Sequence, residues 1–276
     1  MTEPRGISKA WRRQLAWLLP PALLTLALLA LWQAGVAALR VQPWLLPTPL
    51  AILRAGWAAR GLMLPHIWQT AQETLLGFAA ALAIGLGLGI LLDLSVRLRA
   101  ALYPLLVFSQ TVPIVAIAPL LVIWFGYGIL PKIIVVALVC FFPIVVNTVD
   151  GLRATDPEQI NLLRTMGATR RDTFFKVQLP GAMPMIYSGV KVGITYSVVG
   201  AILGEWVGAS RGIGVFMLRA TNSFRTDWVF VSIALTAALS LSLFGLVALV
   251  ERMTLRWHYA AARQERWEEI SARKET

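Results

Sequence analysis

Two ionisable residues, Lys191 and Glu205, stand in a stretch from Val177 to Val207 that carries no other charge. An ion inside an apolar segment is costly to hold, so by default it marks a passage for solute, unless the side chain reaches the nearer interface. Both readings stay open for both residues. On one helix their fourteen-residue separation is close to four turns, which sets them near one face but about 21 Å apart, too far to pair. Ser109, Gln110, Thr111, Asn147 and Tyr196 are further polar positions inside apolar stretches. They are candidates for lining the same passage, and helix-to-helix hydrogen bonding explains each about as well.

Other chemistry is excluded or unsupported. A phosphate-cradling Walker loop needs Lys followed by Ser or Thr after a glycine-rich turn. Here Lys9, Lys132, Lys176, Lys191 and Lys274 are followed by Ala, Ile, Val, Val and Glu, so ATP hydrolysis belongs to another chain. His66 and His258 are expected in loops at opposite ends of the chain, which leaves no metal-binding cluster. No catalytic residue, metal or cofactor is expected. Cys140 has no second cysteine to pair with.

The segment from Asp150 to about Met185 is unlike a plain connector. Charged residues, among them Arg153, Glu158, Arg164 and Asp172, alternate with Ile160, Leu162, Met166, Phe174 and Val177. That pattern predicts two short amphipathic helices resting on a partner or a membrane surface, with Gly167 at the break between them. Pro180 and Pro184 mark re-entry into the membrane.

The spacing Gly167, nine residues, Val177-Gln178-Leu179-Pro180 resembles the cytoplasmic coupling loop of binding-protein-dependent ABC importer permeases. In that family the loop reads Glu-Ala-Ala, three residues, Gly, nine residues, Ile, one residue, Leu-Pro. Here Asn161-Leu162-Leu163 replaces Glu-Ala-Ala and Val177 replaces Ile, so the acidic contact to an ATPase must come from elsewhere, with Glu158 and Arg164 nearest. Met166, Ala168 and Phe174 are the candidate knobs for an ATPase cleft. The likeness runs from about Leu46 to His258. It narrows to the nitrate, sulfonate and taurine group through Leu46-Pro47-Thr48-Pro49, Trp124-Phe125-Gly126-Tyr127-Gly128, Phe142 to Asn147, and Gly204 to Ser210. Asn147-Thr148-Val149-Asp150-Gly151 with Gly204-Glu205-Trp206 looks most like the branch that imports thiamine-precursor pyrimidines or riboflavin. The resemblance implies an all-α, type I permease fold acting with two ABC ATPase subunits, an external solute-binding protein and a second permease copy, a homodimer. An ion-gradient-driven secondary transporter is the alternative, but it predicts inverted repeats, and the sequence has no internal repeat. A non-transporting scaffold would leave the Gly167 to Pro180 spacing unexplained.

The elements that must position these residues follow from composition. Hydrophobic residues make up 58% of the 276, charged ones 14%, and mean hydropathy is +0.70. A helix needs about 20 apolar residues to cross ~30 Å of hydrocarbon. No charge interrupts Arg13 to Arg40, Glu73 to Asp93, Arg99 to Lys132, Lys132 to Asp150, or Asp227 to Glu251. With the Lys191 and Glu205 stretch these predict six spans, about 15–39, 72–94, 100–125, 130–149, 182–207 and 228–250, in a permease domain 15–251. The third, with Pro104, Pro113 and Pro119, is expected as one long kinked helix. The first follows Arg12 and Arg13 like a signal peptide, but its apolar run is too long and it is read as retained.

The net charge of +11 is an orientation signal, and binding of nucleic acid is not needed to explain it. The connectors expected outside hold 7 Lys and Arg, namely Arg40, Arg54, Arg60, Lys132, Arg211, Arg219 and Arg225, against 17 on the other side. That asymmetry puts both termini, tails 1–14 and 252–276, and the coupling loop 151–181 in the cytoplasm of an inner-membrane protein. The outer segment Arg40 to Gln69 is expected to hold a short surface helix near Leu50 to Ala59, with Trp44, Trp57 and Trp68 as interfacial anchors in contact with lipid. Gly85-x-x-x-Gly89 and Gly204-x-x-x-Gly208 have the spacing that lets helices approach closely.

Overall fold

The structure is a computed structural model and describes residues 5–257, so His258 and most of the tail 252–276 lie outside the described residues. Every described element is helical. In chain order they are α1 (Arg5–Ala38), α2 (Pro49–Leu94), α3 (Val96–Ser109), α4 (Ile114–Phe125), α5 (Leu130–Arg153), α6 (Pro157–Thr165), α7 (Arg170–Thr173), α8 (Leu179–Glu205), α9 (Ile213–Asn222) and α10 (Thr226–Thr254). A π-helical turn, Phe174–Gln178, joins α7 to α8. Among the described residues five stretches of helix are long and apolar enough to cross a membrane, and the bent pair α3 and α4 makes a sixth if it crosses as one broken span.

Two expectations about these elements are corrected. The short outer helix near Leu50 does not end at Ala59. It continues as the 46-residue α2, with Pro65 inside it. A single proline removes one intrahelical hydrogen bond, and the apolar, helix-favouring residues on either side carry the helix past it. His66 is therefore on a helix and buried, not in a loop. The third span is not one kinked helix either, since α3 and α4 meet at 96°. Pro104 and Pro119 sit within helices, and the break falls at Pro113, which caps α4. Just before it the hydroxyls of Ser109 and Thr111 donate to the carbonyls of Leu106 and Phe108 at 2.6 and 2.8 Å, drawing the backbone out of its helical pattern.

The chain divides into two compact units. The smaller comprises the described residues up to Leu62 with Met217–Ile233. Inside it the Trp32 and Phe230 rings pack tilted to each other with centres 5.5 Å apart, Gly56 admits Val231, and the Thr226 hydroxyl donates to the Trp44 carbonyl. Thr48 caps α2 by accepting from the Ala51 amide at 3.2 Å.

The larger unit comprises Met63–Phe216 and the described residues from Ala234 onward, and it is organised around α5 packed on α8. Val136, Cys140 and Ile144 recur every fourth residue on α5 and are fully buried, as one face of a helix requires. Without a hydrophobic driving force between helices in lipid, close backbone contact must supply the attraction. Small residues make that contact possible from both sides. On α2 a Cβ at Gly85 would lie 2.8 Å from Ile144, and on α8 one at Gly189 would lie 2.6 Å from the Pro143 carbonyl oxygen. Gly85 and Gly89 thus form the expected close pair. Gly204 and Gly208 do not, because Gly204 packs on Lys132 whereas Gly208 lies beyond the helix end with φ +76°.

Candidate functional site

The segment 151–181 is ordered by local chemistry. Asp156 caps α6 by accepting from the Glu158 amide at 2.8 Å, and Pro157 takes the first helical position, where no amide is needed. At the other end Gly167 adopts φ +85°. Its amide donates to the Arg164 carbonyl and that of Ala168 to the Leu163 carbonyl, both at 3.0 Å, the paired bonds of a Schellman stop. The bend expected at Gly167 is present. Thr169 and Asp172 then start α7 with a reciprocal capping box, and the π turn runs into α8 at Leu179 and Pro180.

This ordering decides which side chains face outward. Glu158, Asn161 and Arg164 are exposed along α6, while Ala168, Val177, Leu179 and Pro180 are half-buried. Met166 is 75% exposed, as a docking knob would be. Phe174 is not such a knob, because it packs against the hydrophobic core of the larger unit. The exposed ring is that of its neighbour Phe175, edge-on to Phe174 with centres 5.1 Å apart and with the Arg171 guanidinium over its face. Leu162 is a second exposed apolar side chain on this surface. A π turn shifts the helical register, so the spacing of a regular helix could not tell Phe174 from Phe175.

The polar positions inside the spans do not converge. Ser109 and Gln110 form the α3–α4 corner. The Asn147 amide group donates to the Pro143 carbonyl at 2.8 Å beside Gly189, a bond within its own helix. Lys191 is paired with Glu251 of α10 at 2.8 Å. Tyr196 is half-exposed on α8. Glu205 is 1% exposed, so its carboxylate neither reaches an interface nor faces open space.

What surrounds Glu205 is a buried polar centre drawn from four elements. Thr70 of α2 donates to its Oε1 at 2.5 Å, and the Gly214 amide of α9 donates to Oε2 at 2.5 Å. Thr70 also accepts from the Ile213 amide at 2.8 Å, and Nδ1 of His66 accepts from the Gly212 amide at 3.0 Å. Beside this lies Glu73, fully buried, with Gln69 donating to its Oε1 at 2.8 Å and the Lys132 ammonium 3.5 Å from the same oxygen. Lys132 donates in turn to the Gly128 carbonyl at 2.9 Å. His66, Thr70 and Glu73 were missed as candidates. They are spaced i, i+4, i+7, one face of a helix, a signal that exists only once α2 is known to continue through Pro65.

An all-α membrane chain built on tightly packed apolar spans, with an ordered amphipathic loop before its penultimate span, is the architecture of a transport permease. The family model described as "binding-protein-dependent transport system inner membrane component" matches residues 75–256, and the chain belongs to that family. It is 37% identical over 240 residues to the formylaminopyrimidine transport permease protein of Halalkalibacterium halodurans, covering 87% of this chain and 96% of the relative. It is 38% identical over 232 residues to the riboflavin transport system permease protein of Chloroflexus aurantiacus, covering 83% and 87%. Among solved structures, an amino acid ABC transporter with histidines superposes with a TM-score of 0.61 at 16% identity, covering 72% of this chain and 97% of that one, a likeness of fold. The protein is a permease subunit of an ATP-driven importer and a multi-pass protein of the inner membrane. The secondary-transporter alternative is set aside by the same findings.

Proposed function

We propose that this permease imports a small heterocycle of the thiamine-precursor pyrimidine or riboflavin kind, delivered by an external binding protein. Support comes from relatives whose names carry those two substrates, together with the Asn147 to Gly151 and Gly204 to Trp206 segments. Two copies of the chain form the passage, and two separate ATPase subunits supply the energy. The termini and the loop 151–181 face the cytoplasm, in keeping with the excess of Lys and Arg on that side.

The observation that carries the coupling role is the exposed set Leu162, Met166 and Phe175 on a loop made rigid by the Gly167 stop and the Thr169 capping box. Apolar side chains held out by an ordered backbone fit a cleft on a partner, with Glu158 and Arg164 placed for polar contacts at its rim. ATP-driven closure of the ATPases moves this loop and, through the π turn, the α8 helix continuous with it.

The test is reconstitution of the permease with its ATPase and binding protein in vesicles. ATP hydrolysis stimulated by the loaded binding protein, with uptake of a pyrimidine or flavin, is the expected result. Ligand screening of the binding protein identifies the solute, and capture of a sulfonate or an amino acid instead would overturn the substrate assignment.

A further inference from the structure

The turn between α8 and α9 is exposed where it projects and buried where it is anchored. Trp206, Gly208, Ser210 and Arg211 are exposed, whereas Gly212 to Phe216 are buried. A helix start leaves its first amides without intrahelical partners, and buried ones must find acceptors. Three successive amides, those of Gly212, Ile213 and Gly214, are taken by His66, Thr70 and Glu205. Glu205, the last residue of α8, is the only one of the three that also closes the turn on itself.

The backbone is shaped to admit this carboxyl group. Gly212 has φ +138°, and a Cβ there would overlap the Glu205 carboxyl, while one at Gly214 would lie 2.9 Å from its Oε2. Glu73 belongs to the same buried centre, and its Oε2 has no donor among the described residues. The site asks for an acceptor toward Gly214, and Thr70 and Glu73 present oxygens that a donor could use. The Thr70 hydroxyl, 3.1 Å from the His66 carbonyl, can then donate there instead.

We propose that Glu205 is the positioning residue of the exposed turn 206–211, holding it in the shape that receives solute from the binding protein, through hydrogen bonding and not through charge. The proposal rests on the topology given above, which puts this turn outside. An amide at this position meets the same demands: its oxygen accepts from Gly214, and its NH2 donates to Thr70 or Glu73. An apolar side chain meets none: the Thr70 hydroxyl falls back on the His66 carbonyl, but the buried Gly214 amide loses its acceptor, a loss that corresponds to about tenfold.

The experiment compares Glu205→Gln, Glu205→Leu and Thr70→Val in the purified permease and in the complex with ATPase and binding protein. Amide hydrogen exchange at Gly212 to Phe216 is expected to speed up by about tenfold in Glu205→Leu and to stay near wild type in Glu205→Gln. In the complex, the binding-protein concentration giving half-maximal ATPase stimulation is expected to rise several-fold for Glu205→Leu and to be restored by Gln. Thr70→Val, which keeps the carboxyl group, covers the case in which the leucine variant does not assemble, and should speed exchange at Ile213. Unchanged exchange in the leucine or valine variant overturns the positioning role. A glutamine variant as defective as leucine overturns the claim that hydrogen bonding and not charge is what matters. If the wild type shows no stimulation by any binding protein, the importer reading fails, while the exchange measurement still decides the role of Glu205.

Discussion

Lys191 of α8 and Glu251 of α10, sixty residues apart in sequence, form an ion pair at 2.8 Å with both side chains largely shielded. Removing one partner of a shielded pair strands the other, and Lys191→Met or Glu251→Leu should each destabilise the permease by about 3–5 kcal/mol. The double variant should recover most of that loss. Thermal unfolding in detergent measures the stability, and uptake in vesicles measures transport. Recovery of both in the double variant assigns Lys191 to packing, whereas recovery of stability without transport returns it to the passage.

Gly167 has φ +85° and nothing within 4 Å of a Cβ placed there, so a substitution strains the backbone without a clash. Valine at this position should cost about 1–3 kcal/mol locally and uncouple transport while the protein stays in the membrane. Asparagine, which tolerates this conformation, should retain most activity. Normal ATPase association and uptake in Gly167→Val would remove the loop from the coupling role.

Phe175 and Phe174 should separate by readout. Phe175→Ser removes an exposed ring and should weaken co-purification of the ATPase with little change in the melting temperature. Phe174→Ala removes a half-buried ring from the core and should destabilise by about 1–2 kcal/mol, less than for a fully buried aromatic. Loss of ATPase binding only in the Phe174 variant would reverse the assignment.

A Cβ added at Gly189 would lie 2.6 Å from the Pro143 carbonyl oxygen, while one at Gly87 would meet open space. Gly189→Val should overpack the α5–α8 contact at a cost of about 1–3 kcal/mol and lower the yield of folded permease. Gly87→Ala is the control and should be silent. Equal yields for the two variants would show that the contact is looser than the structure has it.

Reporter fusions after Thr276 or near Thr169 should read as cytoplasmic, and those near Gly61 or Asn222 as external. A cytoplasmic signal at Gly61 would overturn the six-span topology.

The apolar runs, the charge asymmetry and the Gly167 stop were legible in the sequence because each depends on neighbouring residues and on the solvent around them. Twenty uncharged residues span a bilayer whatever they pack against, and a glycine nine residues before Val177-Gln178-Leu179-Pro180 bends the chain locally. The fate of the buried ions was not legible. Whether Lys191 faces a passage or a carboxylate depends on Glu251, sixty residues on, and Glu205 depends on Thr70, 135 residues back. The same holds for α2, whose continuity through Pro65 turned His66, Thr70 and Glu73 into one face, and for the 96° corner at Pro113. Local residues permit a helix to break or continue at a proline, and only the packing around it selects between them.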